Sequence, residues 1–426
     1  MKKGIETRYV IHEILKILKT RPIGLDKIFV EKVEGKNFSK SDRNMIKNVV
    51  LNTMRYHLFA EVVLKKFAKN IDKSSNSYFL LLSAITQLLV LKFKDFAVIN
   101  TTVELAKDKR IKAPKNFINA ILRNINRNKK QFIELSYNFS QLPNWFKKKV
   151  VSWNKNQKND FIKTICKEPS LHLVFKNKKN LEQFADKNIQ TSNYSVAIKN
   201  SMPIKDICGF KEGWWWVQDF SAMMPLYLNK NLNNKVTADL CAAPGGKSFQ
   251  LISYGFKVNA FDKDRAKAEK MKESLKRLKL NCSLEVKDAL EIDDKQKYDL
   301  IILDAPCSAI GTIRRHPEIL FRKESPDFKK TTSIQAMLLE KAKTILKKNG
   351  IIIYIVCSFF PEEGNMQISK FLNSNKNFKL LKFSSTKKKI EKSLIDKKGF
   401  YFILPSQLYN NVFVDGFFAA KLKKYV

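Results

Sequence analysis

Hydrophobic residues near the start of the chain recur at helical spacing. Ile11, Leu15 and Leu18 fall three or four residues apart, as they would along one face of an amphipathic helix. The same spacing continues over residues 5–128, with no convincing run of alternating hydrophobic and polar positions. We therefore predict an all-helical domain over residues 1–136.

Polar residues and a proline suggest where individual helices of this domain begin and end. Ser41 and Asp42 are predicted N-caps of a helix that runs through Arg55, because their side-chain oxygens can accept free N–H groups of a first helical turn. Ala113 and Pro114 predict a break before the helix that carries Phe117, Ile121 and Leu122.

The pattern changes to short mixed elements over residues 137–230. It indicates a helix near Trp145–Trp153, a strand near Leu171–Phe175 and a turn at Lys211–Gly213, and we predict a small α+β module. The run Trp214–Trp216 could form a stacking platform for RNA bases. Three consecutive aromatic side chains cannot share one face of a strand, so core packing between modules is the favoured interpretation.

Strands and helices alternate in the last part of the chain. This rhythm predicts a parallel sheet built from right-handed crossovers, in a third domain over residues 231–426. The predicted helices are Lys247–Tyr254, Arg265–Leu278 and Ile334–Leu346, and the predicted strands are Val236–Leu240, Val258–Phe261, Leu284–Lys287, Leu300–Leu303, Ile351–Val356 and a closing Val412–Leu422.

The charge balance of the chain favours a polyanionic partner. The 426 residues include 80 Lys and Arg against 40 Asp and Glu, a formal net charge of +40. Such a surface attracts nucleic acid and releases its counterions. Compositional drift in a genome rich in A and T would also enrich Lys, so the excess supports a nucleic-acid partner without proving one.

The sequence predicts a cytoplasmic protein without membrane spans. The most apolar stretch, Tyr78–Phe93, falls short of the ~20 residues that span a bilayer, and the N-terminus lacks the features of a signal peptide. The 6 cysteines form no CxxC pair, so we expect neither a disulfide scaffold nor a metal site.

A glycine-rich segment, DLCAAPGGKS, lies between the first strand and the first helix of the predicted parallel sheet. Open α/β sheets bind ligands at this place, and Gly245 and Gly246 let backbone N–H groups come close to a bound molecule. Cys241 stands where a P-loop needs glycine, and the pattern GxGxxG is absent. Nucleoside triphosphatases and dinucleotide enzymes are therefore disfavoured.

Two aspartates follow the next strands of the sheet. Asp262 lies about twenty residues beyond the glycine-rich loop, where a carboxylate can accept hydrogen bonds from ribose hydroxyls. Asp288 ends the third strand and could meet an adenine amine. Either aspartate alone would more often cap a strand or form a turn, but their joint spacing favours contact with a cofactor.

Two cysteines follow two further strands. Cys307 lies in LDAPCSAIGTIRRHPEI after the fourth strand, and Cys357 lies in YIVCSFF after the fifth. The carboxyl ends of parallel strands share one edge, so we expect both thiols in the crevice beside the glycine-rich loop. One such cysteine would more often be a small buried hydrophobe. Two of them favour a reactive site.

Two thiols and a carboxylate suit methylation of carbon 5 of cytosine. This carbon becomes a good nucleophile only after a thiolate adds to carbon 6, and release of the product then needs a base near the carbon 5 proton. Asp304 is placed to hold or protonate the ring nitrogen as the adduct forms. The attacking thiol also needs activation, because a free thiol has a pKa of ~8.5.

These motifs resemble those of the RsmB (Sun or Fmu) branch of the RNA cytosine-C5 methyltransferase family. The resemblance lies in DLCAAPGGKS, VQDFSA, DAPCSAIGTIRRHPEI and the Cys357-Ser358 pair, and the helical part resembles NusB in FINAILRNI at Phe117–Ile125. It implies an all-α NusB-like RNA-binding domain, a small α+β connecting module and a Rossmann-like catalytic domain. Such an enzyme methylates small-subunit (16S) ribosomal RNA with S-adenosylmethionine.

The resemblance also implies roles for the site residues. Cys357 is expected to be the nucleophile and Cys307 to assist release. Val356 departs from the Thr that relatives commonly carry there, which could alter activation of the thiol. Arg314–His316 are either a grip on the RNA backbone or a basic solvated loop. The residues expected to contact S-adenosylmethionine are Cys241, Ala242, Ala243, Pro244, Gly245, Gly246, Lys247, Asp262, Asp288 and Asp304.

Other functions remain compatible with parts of the sequence. The substrate could be another RNA such as tRNA. A DNA cytosine-C5 methyltransferase would use the Pro-Cys thiol itself as nucleophile, but Cys357 and the helical domain favour RNA. A noncatalytic antitermination factor would use the helical part and leave the thiols and the cofactor loop unexplained. We expect a monomer.

Overall fold

The chain forms two compact units in the computed structural model, which describes residues 3–133, 135, 137–185, 188–199, 202–229, 235–383, 393–409 and 411–425. The helical unit comprises Met1–Lys167 and Ile313–Pro326, and the sheet unit comprises Glu168–Thr312 and Asp327–Val426. This division falls at other places than the predicted boundaries at residues 136 and 230. The three-domain scheme stays a prediction.

Helices dominate the helical unit, as the hydrophobic spacing predicts. Their bounds are α1 Lys3–Thr20, α2 Leu25–Phe29, α3 Lys40–Arg55, α4 His57–Lys65, α5 Asn76–Ile85, α6 Asp95–Ala106, α7 Lys115–Arg127, α8 Lys129–Ile133, α9 Asn144–Lys149, α10 Lys155–Ile165 and, later in the chain, α15 Glu318–Phe321. Single π-helical turns at Val30–Glu34 and Thr86–Val90 follow α2 and α5.

The apolar faces of these helices form one core. In α7, Ile118, Ile121, Leu122 and Ile125 are all buried, at the i, i+3, i+4, i+7 spacing that brings side chains to one helix face. Phe321 of α15 belongs to the same core. The returning segment is therefore an integral part of the helical unit.

The predicted N-cap of α3 is wrong by two to three residues. Ser39 is the N-cap, and its Oγ accepts a hydrogen bond from the N–H of Asp42. The Asp42 carboxylate in turn accepts one from the Ser39 N–H. This reciprocal capping box satisfies two N–H groups, so Asp42 stabilises the helix from its first turn.

The sheet unit has a mixed central sheet between helices. Its helices are α11 Lys178–Ala185, α12 Phe220–Tyr227, α13 Gly246–Ser253, α14 Arg265–Leu278, α16 Phe328–Ile345 and α17 Asn365–Ser374. Its strands are β1 Leu171–Phe175, β2 Ile189–Ser192, β3 Ser195–Ile198, β4 Trp215–Val217, β5 Val236–Leu240, β6 Lys257–Asp262, β7 Ser283–Val286, β8 Tyr298–Asp304, β9 Leu346–Val356, β10 Phe378–Leu381, β11 Tyr401–Ile403, β12 Leu408–Tyr409, β13 Val412–Phe413 and β14 Phe417–Lys424.

The strand order of the central sheet is β10-β14-β9-β8-β5-β6-β7, with β11 also paired to β14. Strands β5 to β9 run parallel, whereas β14 is antiparallel to β9. Both faces of β5, β8 and β9 are covered, which explains their near-continuous apolar sequences. The closing strand predicted at Val412–Leu422 is two elements, β13 and β14.

A smaller antiparallel sheet, in the order β2-β3-β1-β4, precedes the central sheet. Trp215 and Trp216 of β4 are 0% and 2% exposed and contact different cores, one within this small sheet and one with α12 and α13. The prediction of core packing for these tryptophans is confirmed. Among the residues described above, none of the helices is long and apolar enough to cross a membrane.

Candidate active site

The carboxyl ends of β5, β6, β8 and β9 meet at one edge of the central sheet, because these strands are parallel neighbours. Cys241 directly follows β5, Asp262 ends β6, Asp304 ends β8 and Cys357 directly follows β9. The structure thus brings together residues that lie more than a hundred positions apart in the sequence.

The glycine-rich loop turns sharply between β5 and α13. Cys241 adopts a left-handed backbone with φ 63°, and Gly245, the N-cap of α13, has φ 108°. A Cβ on Gly245 would lie 2.3 Å from Cζ of Phe249, so only glycine fits there. A Cβ on Gly246 would meet Gln218 at 3.5 Å, an ordinary contact. The need for glycine is therefore specific to the first of the pair.

Asp262 ties this loop to the next strand. Its Oδ2 accepts a hydrogen bond from the Ala243 N–H at 2.9 Å, and its Oδ1 accepts one from the Asp264 N–H at 2.8 Å. The carboxylate is held at two points at the sheet edge, and only 8% of the residue is exposed. Its orientation is fixed before any ligand binds.

A cavity of about 450 Å³ opens along this edge. It is lined by Cys241, Ala243, Phe261, Asp262, Lys263, Asp264, Lys267, Asp288, Ala289, Leu290, Asp304, Ala305, Pro306, Cys307, Ile334, Leu338 and Cys357. Of the predicted cofactor residues, five line it, whereas Ala242, Pro244, Gly245, Gly246 and Lys247 lie outside its wall. Those five shape the loop instead of forming the surface of the cavity.

The cavity wall fits S-adenosylmethionine in its charge and its hydrogen-bonding groups. The wall holds four aspartates against two lysines, an excess of two negative charges. The cofactor carries a positive sulfonium together with ribose hydroxyls and an adenine amine, all of which are served by acceptors. The aromatic ring of Phe261 and the side chains of Leu290, Ile334 and Leu338 offer apolar surface to the rest of the molecule.

Lys247 holds Asp304 from behind the cavity wall. Its Nζ donates a hydrogen bond to Oδ2 of Asp304 at 2.7 Å. Burial alone would lower the pKa of Lys247, but the charge and the hydrogen bond of Asp304 outweigh it and raise the pKa. The lysine therefore stays protonated and fixes the carboxylate that faces the cavity.

The two predicted thiols touch each other. The Sγ atoms of Cys307 and Cys357 lie 3.3 Å apart, and both residues line the cavity. The hydrogen bond with Cys357 and burial together raise the pKa of Cys307 well above its usual value. Cys307 therefore holds its proton at neutral pH.

A buried carboxylate that the sequence did not single out positions the Cys307 loop. Glu363 is 0% exposed, and it accepts hydrogen bonds from the Ser308 N–H at 2.8 Å and the Ser308 Oγ at 2.5 Å. Gln335 of α16 donates to the same carboxylate at 3.3 Å and to the carbonyl of Pro306 at 2.9 Å. The residues on both sides of Cys307 are thus held by one cluster.

Gln218 of the VQDFSA motif lies next to the glycine-rich loop and its helix α13. Gln218 accepts a hydrogen bond from the Trp216 indole at 2.7 Å and donates to Gln250 of α13 at 3.2 Å. Asp219 caps α12 by accepting from the Ser221 N–H at 2.8 Å. These residues support the helix that follows the loop, and they do not line the cavity.

The effect of Val356 on activation of the Cys357 thiol stays a prediction. Val356 is fully buried at the end of β9 and pairs with Phe418 of β14. The Arg314–His316 segment lies in the helical unit. Arg314 is 1% exposed and its carbonyl accepts a hydrogen bond from Arg55, so its side chain is not a surface grip for an RNA backbone.

Family models match both parts of the chain. The model described as 16S rRNA methyltransferase RsmB/F matches residues 226–423, and the model of the NusB family matches residues 7–127. Ribosomal RNA small subunit methyltransferase B of Photorhabdus laumondii is 30% identical over 321 residues, which are 71% of this chain and 75% of the relative. The protein of the same name from Yersinia enterocolitica is 28% identical over 390 residues, 86% and 91% of the two chains.

Solved structures share the fold. The crystal structure of PH0851 superimposes with a TM-score of 0.71 at 20% identity and covers 100% of this chain and 99% of its own. NSun6 from Pyrococcus horikoshii, solved with SFG, has a TM-score of 0.54 at 17% identity and covers 66% of this chain and 97% of its own. The predicted NusB-like and Rossmann-like parts are confirmed. The chain belongs to the ribosomal RNA small subunit methyltransferase B family, and it is an RNA methyltransferase whose methyl donor is S-adenosylmethionine.

Proposed function

We propose that this enzyme methylates carbon 5 of a cytosine in small-subunit ribosomal RNA through a covalent bond between Cys357 and carbon 6. The observation that carries the proposal is the 3.3 Å contact between the thiols of Cys307 and Cys357 beside the cofactor cavity. One thiol in this place would suit many proteins. Two thiols suit a reaction in which one sulfur bonds to the base and the other assists release of the product.

The reaction begins when the Cys357 thiolate adds to carbon 6 of the flipped or unpaired base. A sulfur–carbon bond forms, and the electrons of the 5,6 double bond move to carbon 5 and the ring nitrogen. The ring nitrogen takes a proton from solvent, and the carboxylate of Asp304, held by Lys247, accepts a hydrogen bond from the resulting N–H. S-Adenosylmethionine, when bound, supplies an electrophilic methyl group that carbon 5 takes up.

Release requires that carbon 5 lose its proton. When that proton passes to solvent in the crevice, the 5,6 double bond forms again and the bond from Cys357 to carbon 6 breaks. Cys307 keeps its proton because its pKa is raised, so it can donate a hydrogen bond to the departing thiolate. We assign it this assisting role.

The same proposal gives roles to the remaining wall residues. Asp262 accepts hydrogen bonds from the ribose hydroxyls and Asp288 from the adenine amine, while the Cys241–Lys247 loop encloses the cofactor. Asp262 is already fixed by two backbone N–H groups, which limits the entropy lost on binding. We further propose that the enzyme acts as a monomer in the cytoplasm.

Mapping the modified nucleotide tests the proposed function. Undermethylated small-subunit ribosomal RNA is incubated with the enzyme and S-adenosylmethionine, and the RNA is then digested and sequenced for methylated bases. We expect 5-methylcytosine at one position, and no transfer to a tRNA pool treated in parallel. Methylation of another atom or another base would overturn the proposal, and transfer to tRNA alone would change the substrate.

A further inference from the structure

A second cavity lies within the helical unit, and none of the residues of the sheet-edge cavity line it. Its volume is about 430 Å³, large enough for a nucleotide-sized ligand. Its walls come from the end of α1, from α4, from the segment around the start of α5 and from the returning segment Ile313–Pro326. The lining residues are Lys19, Thr20, His57, Leu58, Glu61, Asp72, Lys73, Ser74, Phe79, Gln141, Pro143, Leu320, Arg322 and Lys323.

Positive charge prevails in this cavity. Its wall holds four Lys and Arg side chains against two carboxylates, an excess of two positive charges. Both carboxylates are already engaged: Glu61 accepts hydrogen bonds from Lys73 and Tyr78, and Asp72 accepts them from Ser74. Arg322 donates a hydrogen bond to the Ile23 carbonyl, so Lys19 and Lys323 are the two cations available to an anion from outside the protein.

Among these cations, Lys19 has an ammonium group that is largely buried. Its Nζ lies 4.6 Å from the centroid of the Phe321 ring, and within the described part of the chain no oxygen atom accepts a hydrogen bond from it. Burial lowers the pKa of Lys19 to about 8, since desolvation disfavours the ammonium. An anion in the cavity would supply the partner that the ammonium lacks.

Other residues of the cavity wall are apolar or uncharged. Burial, and then the charge of Lys19, lower the pKa of His57 to about 4, so its imidazole is neutral at physiological pH. Leu58, Phe79 and Leu320 continue this surface. A ligand with a planar or apolar part joined to an anionic group would match both the cationic and the apolar residues of the cavity.

We propose that this cavity binds one phosphorylated nucleotide, with Lys19 and Lys323 around the phosphate and the apolar surface against the nucleoside. Both a free nucleotide and a nucleotide of an RNA strand have this chemistry. We assign the occupant to the RNA substrate, and this assignment rests on the proposed function. The cavity would then hold the RNA at a point on the helical unit while its base reacts at the sheet edge.

Binding of uridine 5′-monophosphate to the full-length protein tests the site. Calorimetry is done with saturating S-adenosylhomocysteine, which keeps the probe out of the cofactor cavity. Lys19→Met keeps the aliphatic stem and removes the charge, and we expect about tenfold weaker binding, the loss of one charge-assisted hydrogen bond. Lys323→Met is expected to act in the same direction, because Lys323 is exposed at the rim and its replacement leaves the core intact.

Two controls separate recognition of the phosphate from general effects. Lys47→Met removes an exposed charge of α3 outside the cavity and should leave the affinity unchanged, whereas Lys19→Arg should retain most of it. Uridine without phosphate should bind far more weakly than the monophosphate. Wild-type affinity in Lys19→Met, or equal binding of uridine and its monophosphate, would overturn the proposed site.

A short single-stranded RNA distinguishes the source of the nucleotide. In a salt titration, the slope of log K against log salt should fall by about one in Lys19→Met. If this variant loses affinity for the monophosphate but binds RNA as the wild type does, the assignment to the RNA strand is wrong. Neither binding experiment involves methyl transfer, so their failure would leave the proposed role of Cys357 standing, and the reverse also holds.

Discussion

Two cavities of similar volume, about 450 and 430 Å³, lie in the two units of this protein and differ in nearly every other respect. The cavity of the sheet unit has an excess of two carboxylates and contains two touching thiols. The cavity of the helical unit has an excess of two cations and no cysteine in its wall. The first suits a positively charged methyl donor, and the second suits an anion.

The difference also shows how each site is made. Short strand-end segments in one domain form the sheet cavity, at the place where parallel sheets bind ligands. The helical cavity needs a returning segment, Ile313–Pro326, that begins within the Cys307 motif of the sequence. Volume alone therefore does not separate a reaction site from a binding site. The charge of the wall and the presence of nucleophiles do so.

Removal of the proposed nucleophile of the sheet cavity should have the largest effect. Cys357→Ala should lower kcat/KM for methyl transfer at least about 10⁴-fold, because the proposed bond to carbon 6 is lost, while S-adenosylmethionine binds as before. The rate is measured with labelled methyl donor. Cys282→Ala removes a partly buried thiol outside the cavity wall and should retain full activity. Normal turnover in Cys357→Ala would refute the assignment.

Removal of the second thiol should separate attack from release. Cys307→Ala leaves Cys357 able to attack, but the departing thiolate loses its hydrogen-bond donor, so we expect turnover about 10²-fold slower and a denaturant-resistant RNA band on gels. The double variant Cys307→Ala/Cys357→Ala should show no such band. A band that persists in the double variant would mean that another residue attacks, and a band that depends on Cys307 would exchange the two roles.

The sheet cavity also differs from the helical cavity in the sign of its charge. Asp262→Asn removes an acceptor and a negative charge from the cofactor wall, and we expect S-adenosylmethionine to bind about 10-fold to 100-fold more weakly by calorimetry. Asp293→Asn changes an exposed aspartate outside the wall and provides the matched control. Lys19→Met should not alter this affinity. A change caused by Lys19→Met would mean that the two cavities are not independent.

The smallest effect is expected from the loop behind Cys307. Glu363→Gln keeps one of the two side-chain oxygen acceptors and replaces the other with an amide nitrogen. The loop around Ser308 should then be held less firmly, and kcat should fall about threefold to tenfold. Because Glu363 acts through Cys307, release should slow more than attack, and more of the RNA should be found as adduct during turnover. An equal slowing of both steps would indicate general destabilisation instead of positioning.

Much of the sheet edge could be predicted from the sequence, for physical reasons. β5 and α14 have the predicted bounds, since a buried strand is a short run that ends at a turn and a helix is delimited by its caps. The α16 helix begins at Phe328, earlier than predicted, because its first turns are polar and lack a hydrophobic repeat. Asp262 and the two thiols were placed by strand order alone.

The hydrophobic pattern of the sequence does not predict contacts between residues that are distant in the sequence. Neither the position of Phe321 in the helical core nor the contact of Glu363 with Ser308 leaves a periodic signal, since each depends on residues distant in sequence. In the sequence, Glu363 is one of two adjacent glutamates that follow the Cys357 motif, which does not single it out. The charge excess of the helical cavity was likewise hidden, because its lysines and arginine come from separate segments.

The central claim is that Cys357 bonds to carbon 6 of cytosine. Small-subunit ribosomal RNA that contains 5-fluorocytidine tests it most directly, because fluorine at carbon 5 cannot leave as a proton does and the adduct persists. After reaction with the wild-type enzyme and S-adenosylmethionine, protease and nuclease digestion leaves a nucleotide on one peptide, which mass spectrometry identifies. We predict a methylated fluorocytidine nucleotide on Cys357. A nucleotide on Cys307, or no protein-bound nucleotide, would contradict the mechanism.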